Sequence, residues 1–422
     1  NRYVYPHPSD AYYADLSEPD SVSWDADGDG LYGEVCDSLG NWIPDDQPDV
    51  DAELHVGRIV TLPAELPEIL ERTWLFEASE DQIYKNTSVL AGGIIWYPNI
   101  EDSGWPGYDG AQFMEYLKST GVVDSTIATT LYETEGDGPS MHTPDIPQNH
   151  DNLVSTLQST NAGLFVEYNH GWMDFFGSEA WYDLNEDGIP QYSELAGRNH
   201  LENADCSNLN SSHPNVAILM SCLCGAYDIK ACLAEKMLEE GSVGVVTHTR
   251  GPSGRHGWSE PGDAGFNDLI YAELENLLVK DGEYDHVLGD AFSAAKSDYG
   301  KTYAWDVYQN IYVHTLFGDP ALRLTGREGI IPEGVVSNPS ENRYELYLTP
   351  DRTVHLSLAK SGMVILDIWD ALGRRVHRLY QGNLRQGYHT MSWDVSQQPS
   401  GSYFVTLNTS GKTRVAKVVV LD

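Results

Sequence analysis

Two apolar runs constrain this 422-residue chain more than any other stretch. One lies within NAGLFVEYNHGW and ends on His170-Gly171. The other, NVAILMSCLCG, ends on Cys222 and precedes an apparent helix, IKACLAEKMLEEG. Each run is short and bounded by turn formers, the pattern of a strand buried on both faces of a parallel sheet. A His and a Cys at the carboxyl ends of two such strands share one edge of the sheet, where open α/β folds hold their active sites. A thiol nucleophile and its base need that placement.

The flanking chain supports the same class. LHVGRIV (54–60) reads as a strand, followed by a helix in PAELPEILERTWLFEAS with Leu66, Ile69, Leu70 and Trp74 at helical spacing. Strand signals at 88–97, 125–133 and 242–249 alternate with helix signals at 109–120, 151–160, 264–280, 286–296 and 301–316. Such alternation predicts a mostly parallel sheet with helices on both faces, ending near residue 325. Asp319-Pro320 reads as a structural turn. Residues 328–342 form a Pro- and Gly-containing linker, and beyond it the period changes to two. YELYLT, VHLSLA, MVILDIWD, RVHRLYQ, GYHTMSWD, GSYFVTLNT and RVAKVVVL are short strands spaced by turn residues, the signature of an all-β sandwich. The expected division is therefore 1–327, a linker at 328–342, and 343–422.

Charge narrows the partners. The 25 Lys and Arg stand against 64 Asp and Glu, a formal net charge of -39 that repels phosphate backbones and argues against nucleic acid. The competing reading of this acidity is solubility alone. No apolar stretch is long enough to span a bilayer. Five cysteines (Cys36, Cys206, Cys222, Cys224, Cys232) leave at least one thiol unpaired in the absence of intermolecular bonds. The chain starts at Asn1 with neither an initiator Met nor a signal peptide, so it is expected to be a processed or trimmed piece of a longer precursor.

Two acidic loops are calcium candidates. In SWDADGDGLYGE, Asp25, Asp27 and Asp29 alternate before Gly30 and Glu34, although the twelfth loop position is Cys36. In DLNEDGIPQYSE, Asp183, Asn185, Asp187, Gly188, the Ile189 carbonyl, Gln191 and Glu194 take the EF-hand positions. Each is set against an acidic turn that only faces water. The second loop would brace the segment between His170 and Cys222.

A cysteine nucleophile needs a base and an oxyanion hole. Cys222 lies in a strand-to-helix turn, so its own amide and the backbone at Gly171 are the expected oxyanion donors, with Gly225 a further point of close approach. His170 takes the thiol proton and later returns it to the leaving amine, giving acyl transfer to water and peptide hydrolysis. Cys224 has metal or disulfide readings, Cys232 reads as packing, and His248 is the substitute base, with His256 near the same edge. The irregular run RGPSGRHGWSEPG, which contains Trp258 and Glu260, is expected to face substrate.

YNHGW (168–172), SCLCGAYDIKACLAEKMLEEGSVGVV (221–246), VGRI (56–59), WDADGDGLYGE and LFGDPAL (316–322) together resemble the gingipain-type cysteine peptidases, family C25 of the caspase-like clan, over residues 9–325. The resemblance implies a caspase-like α/β fold, endopeptidase activity on protein or peptide substrates, and calcium sites. It implies His170 as the catalytic histidine. It also selects Cys222 over Cys224, because Cys222-Leu223-Cys224-Gly225 keeps the family's spacing. An acid behind the histidine is implied, for which YPNIEDSG offers Glu101 or Asp102, and Asn169 replaces the family's Gly. Preference for basic P1 residues implies an acidic subsite group, with Asp228, Glu260 and Asp263 as candidates. The family's opening strand is expected to precede Asn1, so a cleaved N-terminal segment or propeptide is an expected partner.

VILDIWDALGRRVHRLYQGNLRQGYHTMSWDVSQQPSGSYFVTL followed by TRVAKVVVL resembles the FlgD-like, immunoglobulin-type C-terminal sorting domain of Bacteroidetes-related proteins, with AKVVVL where a KM-type pair is commoner. That likeness implies export through a type IX pathway to a secreted or cell-surface location; a sandwich that only caps the peptidase is the competing reading. Two further functional readings are a catalytically inactive peptidase fold in a surface or secretion assembly, and a calcium-dependent adhesion module.

Overall fold

The computed structural model describes residues 8–16, scattered positions from 19 to 46, 51–79, 81–279, 286–303, 307–324, and the strands and most turns between 345 and 420. Asp27, Asp29, Glu34, Cys36 and the 328–342 linker fall outside the described residues. The chain divides into two units, Asn1–Arg327 and Glu328–Asp422.

The strands of the first unit are β1 (Ser88–Gly92), β2 (Ile94–Trp96), β3 (Tyr108–Asp109), β4 (Ala128–Tyr132), β5 (Ile146–Pro147) and β6 (Leu164–Tyr168). There follow β7 (His170–Trp172), β8 (Phe175–Trp181), β9 (Leu195–Glu202), β10 (Asn215–Leu219), β11 (Ser242–His248) and β12 (His314–Gly318). Seven of them form the main sheet in the order β12-β11-β10-β6-β1-β4-β5. Every neighbouring pair is parallel except β11 and β12.

Strand alternation builds a core on each face of this sheet. Phe165, Ala217, Leu219 and Val245 pack with the helices Leu66–Ala78, His150–Ser159 and Leu233–Glu240. Leu164, Val166, Val216, Ile218 and Val246 pack with Gly110–Thr120, Phe266–Leu278 and Leu288–Thr302. Helix starts follow local chemistry: Asp109 accepts from Ala111 N, and Asn149 from Asn152 N. The expected mostly parallel sheet covered on both faces is thus the observed one.

Several boundaries differ from expectation. Residues 54–60 make only an isolated bridge, Arg58 to Phe317. The 88–97 run breaks at Gly92-Gly93, where a Cβ would stand 2.5 Å from Ala111 N and 2.4 Å from Asn169 Oδ1; the chain leaves the main sheet there to let a helix and the β6 end approach. The helix Leu66–Ala78 buries Ile69, Arg72, Thr73 and Phe76 and exposes Trp74. Arg72 turns inward because its guanidinium bonds the Leu238 and Glu239 carbonyls at the end of helix Leu233–Glu240. Residues 314–316, expected to end a helix, instead open the antiparallel strand β12, where pairing with β11 overrides the helical pattern.

The second unit places all seven expected strands in two antiparallel sheets, with orders 345–348, 353–358, 387–392 and 375–384, 362–370, 401–409, 412–420. Val354, Leu356 and Leu358 share a core with Leu366, Ile368, Val405 and Leu407.

Candidate active site

β6 and β10 are adjacent and parallel, with Val216 opposite Leu164 and Leu219 opposite Glu167. Their carboxyl ends therefore deliver His170, which opens β7, and Cys222 side by side. The contact is tight: a Cβ on Gly171 would lie 2.3 Å from the Cys222 carbonyl oxygen and 3.0 Å from its amide nitrogen. Only glycine lets the two turns touch. Leu223 follows the cysteine with a left-handed φ of 63°, an uncommon backbone state for a bulky residue. It turns the chain sharply, and the Ala226 amide closes the turn onto the Leu223 carbonyl at 2.9 Å.

The orienting group behind His170 is a backbone carbonyl. His170 Nε2 lies 3.0 Å from the Ile95 oxygen. A carbonyl only accepts, so Nε2 carries the proton and Nδ1 keeps the lone pair. Glu101, expected in this role, sits in a left-handed turn with its carboxylate accepting from Tyr192 N at 2.9 Å. Asp102 is exposed beside Asn99. Among the described residues no carboxylate hydrogen-bonds to His170.

Burial, and then the nearby Glu167 charge, push the Cys222 thiol up to about 11, so the resting group is a neutral thiol. Glu167 itself was not singled out in the sequence. It is fully buried at the end of β6, accepts from Ser221 N, Ser221 Oγ and Asn169 Nδ2, and burial lifts its carboxyl to about 7. A lone acid within the apolar run LFVEY was the available signal.

The remaining candidates separate. Asp228 is held bidentately by Arg250, at 3.0 and 2.7 Å. Trp258 is core: fully buried, it donates Nε1 to Asp268 at 2.6 Å and packs on Phe113 and Tyr116. Glu260 is exposed, and Asp263 accepts from Ser259. Gly225 faces Thr247 and Phe317 rather than an open cleft. Cys224 and Cys232 are fully buried free thiols. His248 is enclosed between Phe266 and His314, and burial holds it neutral. His256 packs at a tilt against Trp96 and Trp105. A cavity of about 70 Å³ opens beside His170, lined by Ile95, Trp96, Ile100, Tyr192 and one carboxylate residue, Glu179.

The DLNEDG loop connects the hairpin β8–β9. Its first half folds as a carboxylate-lined turn: Gly188 N and Asp187 N donate to Asp183, Ile189 N donates to Asp187, and Gly188 has φ 72°. That half suits a hard cation. Glu194 does not join it, because its carboxylate accepts from Trp181 Nε1 at 2.9 Å and Leu184 N at 3.1 Å. Among the described residues no three His, Cys, Asp or Glu side chains gather in metal-holding geometry. Of the first acidic loop only Asp25 is described among its expected ligands, and its Oδ1 accepts from Gly30 N.

Comparison with known proteins adds three findings. The model of peptidase family C25 matches residues 2–325, and a secretion-system C-terminal sorting domain matches residues 338–421. The crystal structure of the Arg-specific cysteine proteinase gingipain R (RGPB) aligns with a TM-score of 0.52 at 14% identity, over 93% of this chain and 81% of that one. The complex of Porphyromonas gingivalis RgpB pro- and mature domains aligns at 13% identity with the same TM-score and coverage. At these identities the likeness is one of fold. No curated protein matches the chain.

Proposed function

The chain belongs to peptidase family C25, and from that premise we propose that it is an endopeptidase whose nucleophile is Cys222 and whose base is His170. It is a cysteine peptidase by family and, by its sorting domain, a secreted or cell-surface bacterial protein. The observation that carries the dyad is the seating of Gly171 on the Cys222 backbone, which joins the two strand ends, together with the Ile95 carbonyl that leaves Nδ1 of His170 as the basic nitrogen.

Because the resting thiol is neutral, the proton moves during attack. Cys222 Sγ bonds the scissile carbonyl carbon while His170 Nδ1 takes the thiol proton. The Cys222 amide and the backbone at Gly171 are the assigned donors to the tetrahedral oxygen. His170 then protonates the departing amine, and water attacks the thioester to release the acid. Replacing Cys222 or His170 with Ala abolishes cleavage of a mixed peptide library under this assignment; a C222A protein that still cleaves refutes it.

A basic P1 preference is suggested by the Arg-specific relative. Asp228, Glu260 and Asp263 are poor acids for it, being ion-paired, exposed away from any described partner, or turned onto Ser259. We assign the role to Glu179 in the cavity beside His170. E179Q is expected to lower kcat/KM for Arg and Lys at P1 at least tenfold while leaving uncharged P1 residues within about twofold, read by positional scanning. Equal losses across all P1 residues contradict the assignment.

A structural Ca2+ held by Asp183, Asn185, Asp187 and the Ile189 carbonyl is part of the same reading, as is a propeptide partner like that of the gingipain complex. The second unit, read as an immunoglobulin-type sandwich, would engage type IX secretion machinery. Burial of the Cys222 thiol, which pushes its pKa up, favours an inactive relative of the fold instead. The C222A and H170A measurements decide between them.

A further inference from the structure

We propose that Glu167 is the positioning residue of the site, a buried carboxylate that clasps the turn carrying Cys222 to the turn carrying His170. The proposal rests on the Cys222–His170 reading.

One carboxylate holds the residue before the nucleophile and the residue before the base. Oε1 accepts from Ser221 N at 3.2 Å, and Oε2 accepts from Ser221 Oγ at 2.9 Å and Asn169 Nδ2 at 3.0 Å. The Ser221 hydroxyl shares its one proton between that carboxylate and the Asn169 carbonyl, also at 2.9 Å, and the Glu167 carbonyl accepts from Met220 N at 3.0 Å. Asn169 is fixed from behind, its Oδ1 accepting from Gln148 Nε2 at 2.6 Å. With Gly171 already against Cys222, a shift of either turn changes the distance between sulfur and imidazole.

The cost of this arrangement argues that it has a use. A buried carboxylate is expensive without a cation, and among the described residues none pairs with Glu167. The titratable groups facing it are the Cys222 and Cys224 thiols and the Tyr168 phenol, each shifted upward by burial and so neutral at pH 7. Among the described residues no lysine, arginine or histidine side chain bonds to it, leaving its charge to act on the thiol. An ionised Glu167 opposes the thiolate and, after burial, raises the Cys222 pKa.

The test uses E167Q and S221A in the full chain, with iodoacetamide alkylation of Cys222 followed from pH 5 to 11 and steady-state kinetics on a cleaved peptide. Glu167→Gln keeps the shape and removes the charge. The alkylation midpoint is expected to move to lower pH, and kcat to fall about tenfold or more with KM within about twofold, because misplaced reacting groups slow chemistry without weakening binding. Ser221→Ala removes one arm of the clasp and leaves the charge, so it is expected to lower kcat with the midpoint unchanged. Wild-type kcat in both variants, or an unmoved midpoint in a folded E167Q, overturns the proposal. If E167Q does not fold, S221A decides alone through its kcat. Failure of the underlying reading looks different: alkylated wild-type protein would continue to cleave.

Discussion

At the residue scale, Gly171 and Leu223 do opposite things to one turn. Gly171 is needed for what it lacks: a methyl group there would press on the Cys222 backbone at 2.3 Å. Gly171→Ala is therefore expected to displace the nucleophile and reduce kcat/KM by roughly 100-fold or more while the far-ultraviolet circular dichroism stays native. A G171A enzyme with normal kinetics would show that the two turns do not need contact. Leu223 bears a left-handed backbone that costs of order 1–3 kcal/mol, in a turn closed by the Ala226 amide on its carbonyl. Behind His170 stands the Ile95 carbonyl, where an acid was expected. A carbonyl orients an imidazole as well as a carboxylate does, and backbone oxygens leave no mark on a sequence.

At the scale of elements, the β8–β9 hairpin joins β6 to β10 in sequence and holds the DLNEDG turn. Millimolar Ca2+ is expected to raise the melting temperature by several degrees, and Asp187→Asn to erase that rise without changing the calcium-free value, measured by differential scanning calorimetry. A shift that survives in D187N places the cation elsewhere. The buried central strands were legible because fully buried parallel strands leave continuous apolar runs, and His170 and Cys222 follow the ends of two of them. β8 and β9 were missed because their burial is mixed and their connection reads as a metal loop. For Asp228 and Trp258, composition marks a residue as acidic or aromatic but not that Arg250 or Asp268 already holds it. Glu167 was overlooked for the converse reason, since a polar residue inside an apolar run looks like an interruption until its three donors are in view.

At the scale of the whole molecule, stability should depend on pH through buried histidine. Burial, then the Arg198 charge, lower His200 from 6.5 to about 4 beside Ser178, so the folded protein keeps this ring neutral while the unfolded chain protonates. The contribution is complete above pH 6.5 and is lost as pH falls toward 4, up to roughly 3 kcal/mol. His200→Gln should therefore lie below wild type in stability at pH 8 and approach it at pH 4.5, by urea denaturation; a gap independent of pH would contradict the buried neutral ring. The net charge of -39 adds self-repulsion that salt should relieve. The full chain is titrated with iodoacetamide, the modified cysteine is mapped by peptide mass spectrometry, and residual peptide cleavage is measured on the same samples. Loss of activity in proportion to label on Cys222 is the predicted result; full activity with Cys222 fully labelled would contradict it.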